Sequence, residues 1–474
     1  MSAMLDDLAL LSVTESADAF AKGEAKAEAM VAACLARIDA HDVKVNSVIR
    51  LDRDAALEAA RALDKGRAAG AKAGPLAGVP MMHKDMYYRA GKVSTCGSKI
   101  RSDFVPGVTA TVLQRLDAAG AVDMGTLNMA EFAQNPTGHN AHYGDCHNPW
   151  SLPYCTGGSS SGSGAGVAAR FFACALGSDT GGSIRLPAGI CGVTGIKGTQ
   201  TRVPRTGVMP LSFSMDNVGP LTRTARDAAR VMRVISGADG TDMTAAPEAV
   251  PDYEDALTGD IAGLRIAVPR EWFFESADEI VVKTFEAALA VLKARGATVD
   301  YVSAPSLSAI GTYTAVVSRV EGATIHANWM REHAGDYAIH LSGRLFGGYA
   351  IPGHYYLEAL SRRGPLLRQF CKEAMSGYDI VATPTLRMRV PTLAETDIDV
   401  DAEANWARHM AVSANTRPFN YLGLPTVSIP VGFDDRGLPV GMQLSARPFG
   451  EGTALKVADA YQQDTDWHAR VPAL

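Results

Sequence analysis

The chain lacks any block of basic residues. Its 45 lysines and arginines are spread among 51 aspartates and glutamates, which leaves a net charge of −6. Proteins that bind nucleic acid or anionic membranes concentrate lysine and arginine on one face or in one segment. We therefore expect neither a nucleic-acid partner nor a membrane partner.

The sequence also lacks long apolar runs. No window approaches the roughly 18 uninterrupted apolar residues of a membrane span. Residues 1–7 carry two acids and no basic cluster, unlike the start of a secretory signal peptide. Hydrophobic residues make up 47% and charged residues 20% of the chain, the balance of a globular protein. These features predict a soluble, cytoplasmic protein.

Cysteines are few, and their spacing does not pair them. There are seven in 474 residues, and none form a CxxC motif, so neither a disulfide framework nor a zinc site is indicated. There is no HExxH motif for a metal, and no GK[ST] follows a glycine-rich stretch to hold phosphate. We expect no metal and no cofactor.

Short apolar strands alternate with amphipathic helices along the chain. Helices are predicted over 8–41, 53–68 and 109–119, strands over 121–125, 264–268, 379–383 and 426–431, and a hairpin turn at Arg436-Gly437. This alternation is typical of an α/β sheet with helices on both faces. A composition boundary lies near 237–262. Because strands return after 376, the mostly helical segment 275–375 is predicted to be an insertion or cap within a single domain, 1–474.

Glycine and serine are concentrated at 157–164, directly before an apolar run at 165–176. A flexible linker would not continue into such a run, which belongs in a core. A glycine-rich segment with a flexible backbone, directly before a buried segment, is typical of a loop that holds a ligand. A second loop of this kind, Asp-Thr-Gly-Gly-Ser, follows at 179–183.

Ser159 and Ser183 in these loops, with Lys84 upstream, are candidates for nucleophilic catalysis. A serine hydroxyl needs a base beside it. Lys84 follows the apolar residues 79–82, and burial lowers the pKa of a lysine into the range where it can act as a base. Glycines in 180–183 allow successive N–H groups to point at a developing oxyanion, a contribution of about 3 kcal/mol per donor.

Residue patterns alone leave other interpretations open. Gly158–Gly162 also fits the G-x-S-x-G elbow of α/β-hydrolases, with Ser160 as nucleophile, but none of the six histidines after residue 300 has a diagnostic setting. Glycine–serine runs are more often linkers, and a lysine before an aspartate is more often a surface pair. Asp179 is more typical of a carboxylate that fixes a loop than of an acid catalyst.

Taken together, the motifs resemble the amidase signature family. The resemblance is carried by 157–160, 177–188 and 192–197, and by the flanking segments 83–85, 128–133, 148–150, 216–220 and 418–425. It extends over nearly the whole chain, is weakest over 237–375, and marks 60–235 as the signature core. One departure is visible, because Ser161 stands where the family commonly has glycine.

The resemblance implies a single α/β/α sandwich with a large mixed central sheet. It also implies a triad in which Ser183 is the acyl-enzyme nucleophile, Ser159 is a bridging serine at a cis peptide bond, and Lys84 is the base. The N–H groups of the oxyanion hole would be those of Thr180, Gly181, Gly182 and Ser183. The residues expected to bind substrate are Met129, Phe132, Tyr143, Gly157 and Gly158.

Members of the family hydrolyse linear amides, aryl amides, ureas, carbamates and some esters. We therefore expect a free-standing amidase, with aryl acylamidase, urethanase or esterase activity, that acts on a small-molecule amide or carbamate and forms a homodimer. The apolar and aromatic content of 310–360 suggests a hydrophobic acyl or leaving group. Two alternatives are the glutaminase A subunit of an aminoacyl-tRNA amidotransferase and a catalytically inactive binding protein. The sequence leaves the substrate undetermined.

Overall fold

The computed structural model describes residues 8–474, so the segment 1–7 considered above for a signal peptide lies outside the described residues. The strands in the described part are β1 Val48–Leu51, β2 Pro80–Lys84, β3 Val122–Leu127, β4 Cys174–Asp179, β5 Thr194–Lys197, β6 Asn217–Thr222, β7 Arg265–Pro269, β8 Thr298–Val302, β9 Ile380–Pro384, β10 Thr426–Phe433 and β11 Pro439–Ser445. They form one mixed sheet in the order β1-β3-β2-β4-β6-β5-β10-β11-β9-β7-β8. The expected large mixed sheet is confirmed.

Helices cover the sheet. Those described in full are α1 Val13–Lys22, α2 Ala27–Val45, α3 Arg53–Ala68, α4 Thr111–Ala118, α5 Ser161–Ala168, α6 Arg185–Cys191, α7 Ala225–Ile235, α8 Glu279–Ala294, α9 Leu307–Ile325, α10 Ala327–Glu332, α11 Ile339–Tyr349, α12 Gly353–Ala374, α13 Ala402–Val412, α14 Arg417–Leu422 and α15 Glu451–Gln463. None of these helices has the length and apolar character needed to cross a membrane.

The pleat of β2 shows how the sheet separates two cores. Successive side chains of a strand point to opposite faces. Met81 accordingly belongs to the buried core that includes residues of α7 and α15, and Met82 belongs to a second core that includes residues of α5 and α6. Because β2 is apolar on both faces, it lies in the interior of the sheet, between β3 and β4. The α/β/α sandwich follows from this two-sided burial.

Helix α7 illustrates why local sequence forms these elements. Thr224 and Asp227 form a capping box that satisfies free N–H groups at its first turn. Its buried residues Ala228, Val231, Met232 and Ile235 recur at helical spacing and pack into the core. The burial of this apolar stripe, more than intrinsic helix propensity, stabilises the helix in place.

The segment 275–375 divides between the sheet and a helical group. Helix α8 packs on β10 and β11, and β8 pairs in parallel with β7 at the sheet edge. Helix α9 packs against both α11 and α12. The interpretation of this segment as a cap stays a prediction.

Candidate active site

Strand β2 delivers Lys84 to the interior of the protein. All five of its residues are buried, and the Lys84 side chain is fully buried. Its Nζ forms hydrogen bonds with Ser159 Oγ at 2.7 Å and with Ser178 Oγ at 2.9 Å. The structure therefore brings together the predicted lysine and bridging serine, and adds Ser178 to the site.

Burial lowers the pKa of Lys84 to about 7, and the charges of Asp216 and Asp179 oppose this shift only in part. Desolvation penalises the ammonium form, which has lost its water without gaining a directly bonded carboxylate. A substantial neutral fraction thus exists near pH 7. In that form, the Nζ lone pair can accept a proton from Ser159 Oγ.

The two glycine–serine loops lie side by side. The N–H of Ser160 donates to the carbonyl of Ser183 at 3.3 Å. The Gly158–Ser159 peptide bond is cis, as the resemblance implied. Lys84 and Ser159 are 0% exposed, whereas Ser183 is 9% exposed. Ser183 is also the one of the three that lines a cavity, so it is the one that a substrate can reach.

Asp179 fixes the conformation of the second loop. Its carboxylate accepts hydrogen bonds from the N–H groups of Gly182 at 2.8 Å, Ile184 at 3.2 Å and Arg185 at 3.3 Å. The Arg185 guanidinium binds both carboxylate oxygens at 3.0 and 2.9 Å, and the Asn420 amide donates at 2.8 Å. Burial would raise the pKa of Asp179, but Arg185 and Asn420 hold it at about 2. The interpretation of Asp179 as a loop-fixing carboxylate is confirmed.

The predicted oxyanion hole loses one donor in this arrangement. Because the N–H of Gly182 is bound by Asp179, it is not free for a substrate oxygen. The remaining predicted donors are the N–H groups of Thr180, Gly181 and Ser183. Gly182 has φ +127°, and a Cβ there would lie 2.1 Å from Thr416 Oγ1. Glycine is required at this position for both backbone conformation and space.

A narrow cavity of about 60 Å³ opens on Ser183. Its walls come from six separate parts of the chain, and the side chains that line them are mostly polar. They include Gln134, Asn135, Thr180, Ser183, Thr314, Ser318, Arg344, Ser413 and Arg417. Neither arginine was predicted from the sequence, because Arg344 lies outside the segments that carry the resemblance, Arg417 stands just before the segment 418–425, and no local pattern marks either one.

None of the five residues expected to bind substrate lines this cavity. Phe132 is 2% exposed and packs against His326, Trp329 and Tyr337 in an aromatic cluster. Met129 is fully buried, and the Tyr143 N–H and carbonyl bind Asn140 and Asn46. The segment 128–133, which carries part of the family resemblance, does reach the cavity, because its last residue, Ala133, lines the cavity wall.

Gly157 and Gly158 serve close backbone packing. A Cβ on Gly157 would lie 2.9 Å from the Pro187 nitrogen, and one on Gly158 would lie 2.5 Å from the Asn135 carbonyl oxygen. Real Cβ contacts are not this short, so the two glycines let the Ser159 loop approach its neighbours. Their role in the structure is therefore to place Ser159.

Ser160 and Ser161 point away from Lys84. Ser160 Oγ lies 3.3 Å from both the nitrogen and the carbonyl oxygen of Ser178, and no histidine contacts it in the described part of the chain. Ser161 Oγ donates to the Asn128 carbonyl at 3.3 Å. Ser160 therefore lacks the histidine base that the α/β-hydrolase elbow needs. The extra hydroxyl of Ser161 is held by its hydrogen bond to the Asn128 carbonyl.

Comparisons with known proteins place this geometry in a family. The Amidase family model matches residues 29–455. The A subunit of glutamyl-tRNA(Gln) amidotransferase from Chloroflexus aggregans is 40% identical over 99% of this chain and 99% of its own length. A peptide amidase solved with the inhibitor chymostatin is 28% identical over 98% of this chain and 99% of its own, with a TM-score of 0.86.

A second solved structure is similar over the whole fold. It is described as a vestigial protein complex that reveals the evolutionary origins of an s-triazine catabolic enzyme. It is 32% identical, covers 96% of this chain and 98% of its own, and has a TM-score of 0.89. The match of the family model, the full-length relatives and the shared fold agree. The chain therefore belongs to the amidase family and is an enzyme that hydrolyses C–N bonds.

Proposed function

We propose that the chain is a free-standing serine amidase that uses Ser183 as nucleophile and Lys84 as base through Ser159. The observation that carries this proposal is the hydrogen bond of 2.7 Å between Lys84 Nζ and Ser159 Oγ, in a loop that lies beside the loop of Ser183. A buried lysine with a lowered pKa can take up a proton at neutral pH.

The first half-reaction forms an ester on Ser183. Ser183 Oγ attacks the amide carbonyl carbon, its proton passes to Ser159 Oγ, and the Ser159 proton passes to Lys84 Nζ. The carbonyl oxygen becomes an oxyanion that accepts hydrogen bonds from free N–H groups of the Thr180–Ser183 loop. When the intermediate collapses, the C–N bond breaks. The nitrogen leaves with a proton that returns from Lys84 through Ser159.

The second half-reaction releases the acid. Water attacks the acyl-Ser183 ester and gives its proton to the Ser159–Lys84 pair. As the C–O bond to Ser183 breaks, that proton passes through Ser159 to Ser183 Oγ and restores the free enzyme. The same steps would cleave aryl amides, carbamates and esters; a carbamate would yield a carbamic acid that loses CO₂. We also propose that the enzyme is cytoplasmic, acts on a small molecule and forms a homodimer. Because its charges are scattered along the chain, we propose that it binds no nucleic acid.

The main alternative is a glutaminase A subunit. The observation that favours it is the 40% identity with the A subunit of a glutamyl-tRNA(Gln) amidotransferase over the full length of both chains. Affinity purification of the tagged chain from its own cells separates the two functions. Stoichiometric partners and glutaminase activity that depends on them would support the alternative, whereas activity of the isolated chain supports the free amidase.

Covalent labelling tests the proposed nucleophile directly. A fluorophosphonate should phosphonylate Ser183 Oγ with loss of fluoride, and Lys84→Met should slow labelling strongly because the base is missing. Peptide mass spectrometry locates the label. A label on Ser160, or no serine label on folded protein, would contradict the proposal and favour the elbow or the inactive binding protein, respectively.

The pKa of Lys84 sets the expected pH dependence. Below pH 7 Lys84 is mostly protonated and cannot accept the Ser159 proton, so kcat/KM for a neutral amide should rise with pH through a limb near the pKa of about 7. It should level off about one pH unit above that value. The measurement is kcat/KM against pH, with circular dichroism at each pH to show that the fold persists. A flat profile from about pH 5.5 to 8.5 would contradict a Lys84 base that titrates near pH 7.

A further inference from the structure

Two arginines line the cavity at Ser183 without a counter-charge. Arg344 lies on α11 and Arg417 begins α14, and both are partly buried. Arg344 donates to Gln134 Oε1 at 2.9 Å and to Ser318 Oγ at 3.4 Å, both neutral groups. The Arg417 guanidinium has no hydrogen-bond or ion-pair partner within residues 8–474.

The surroundings of these arginines are cationic. Burial lowers the pKa of Arg344 to about 9 and that of Arg417 to about 10, and the charge of Arg319 acts in the same direction on both. Both remain charged at neutral pH. Among the described residues that line the cavity there is no aspartate or glutamate.

Two fully or nearly fully buried arginines elsewhere in the chain do have partners. Arg185 forms an ion pair with Asp179, and the Arg170 guanidinium donates to several backbone carbonyls. Two guanidinium groups line the cavity at Ser183, and none of its described lining residues is a carboxylate, so the cavity favours an anion as the group that binds there. A guanidinium presents N–H groups in a planar fork that matches a carboxylate.

We propose that the substrate is a small amide that carries a carboxylate and no ammonium group, with Arg344 and Arg417 holding the carboxylate. This inference rests on the proposed function of Ser183. It differs from the hydrophobic acyl group expected from residues 310–360, because the side chains of that segment that reach the cavity are Thr314, Ser318 and Arg344. None of its apolar side chains lines the cavity; Leu341 and Leu345 pack in the core, and Phe346 and Leu357 are exposed on the surface.

The same geometry argues against glutamine as substrate. Glutamine carries an α-ammonium beside its α-carboxylate. Within the described residues, the cavity offers that ammonium no carboxylate, only neutral oxygens such as those of Asn135 and Ser413, and it would lie near two guanidinium groups. Like charges in a poorly solvated site repel one another strongly.

Three substrates of one chain length test the proposal. Glutaramate carries the carboxylate, pentanamide replaces it with a methyl group, and glutamine adds the ammonium. We expect kcat/KM for glutaramate to exceed that for pentanamide at least about 100-fold and that for glutamine at least about 10-fold. Malonamate and succinamate, with propanamide and butanamide as neutral partners, extend the test to shorter chains. Equal rates for the charged and neutral member of every pair, or a preference for glutamine, would overturn the inference.

Arginine variants locate the anion. Arg344→Gln and Arg417→Gln should each lower the ratio of kcat/KM for the anionic over the neutral amide by about 10- to 100-fold, mainly through KM. Arg331→Gln, on the exposed surface of α10, is the matched control and should leave the ratio unchanged. If neither cavity variant changes the ratio, the arginines do not bind the carboxylate.

Binding to the Ser183→Ala variant separates this inference from the proposed function. Isothermal calorimetry with glutaramate and pentanamide should show tighter binding of the anion, and Arg417→Gln should remove the difference. If Ser183 is labelled by fluorophosphonate but charged and neutral amides bind equally, the anion site is wrong and the serine amidase stands. If Ser183 is not labelled and the anion still binds selectively, the mechanism is wrong and the site stands.

Discussion

Replacing Ser183 by alanine is expected to lower kcat/KM for amide hydrolysis at least about 10⁴-fold, because it removes the hydroxyl that forms the acyl-enzyme in the proposed mechanism. Lys84→Met should cause a loss of similar size. Methionine fills the same buried space but cannot accept the proton of Ser159, whose Oγ lies 2.7 Å from Lys84 Nζ. Steady-state kinetics with a chromogenic aryl amide measures both losses.

Two variants serve as controls for these losses. Ser160→Ala removes the neighbouring serine, whose Oγ faces the Ser178 backbone, and should keep kcat/KM within about tenfold of wild type. Lys197→Met replaces another fully buried lysine, whose Nζ donates to the Gly198 carbonyl away from the triad, and should behave likewise. Undiminished turnover in Ser183→Ala, or a loss confined to Ser160→Ala, would refute the assignment of the nucleophile.

Arg185→Met is expected to destabilise the protein by about 3–5 kcal/mol, because it leaves Asp179 as an uncompensated buried charge. Both side chains are fully buried. Arg185 also donates to the Thr416 carbonyl at 2.9 Å and to Gln443 at 2.8 Å, so its loss frees three parts of the chain around the Thr180–Ser183 loop. Equilibrium unfolding in guanidinium chloride measures the change.

An exposed ion pair provides the comparison. Arg233 contacts Asp252 with side chains that are 52% and 26% exposed, and Arg233→Met should cost less than about 1 kcal/mol. The double variant Asp179→Asn with Arg185→Met should be less destabilised than the sum of its single changes, since no lone charge remains buried. Equal losses in the free energy of unfolding for Arg185→Met and Arg233→Met would show that the buried ion pair stabilises the protein no more than the exposed pair does.

The local pattern of the chain was enough to predict much of the fold. Helix 53–68 coincides with α3, and the predicted hairpin is the antiparallel pair β10 and β11, joined through a turn with Gly437 at φ +76°. These elements have strong short-range signals, namely amphipathic spacing and turn residues. Strands β4 and β5 were not predicted, because glycine and small residues dominate them and only their buried position in the sheet makes them strands.

The sequence by itself determined the parts of the site whose signals are local. Lys84 follows an apolar strand, and Ser159 and Ser183 stand in loops whose glycines are required by close backbone packing. These residues could be named from the sequence alone, because each depends on its immediate neighbours in the chain. Family resemblance then ordered them into one mechanism.

Only the tertiary structure decided what the site recognises. Ser178 joins Lys84 because β2 and β4 are neighbours in the sheet, and Asp179 takes the Gly182 N–H because the loop folds back on it. Arg344 and Arg417 meet Ser183 from helices far along the chain. Such contacts depend on how elements that are far apart in the sequence pack against one another, and no local sequence pattern encodes that packing. The candidate catalytic residues could therefore be predicted from the sequence, whereas the proposed charge of the substrate could be inferred only from the fold.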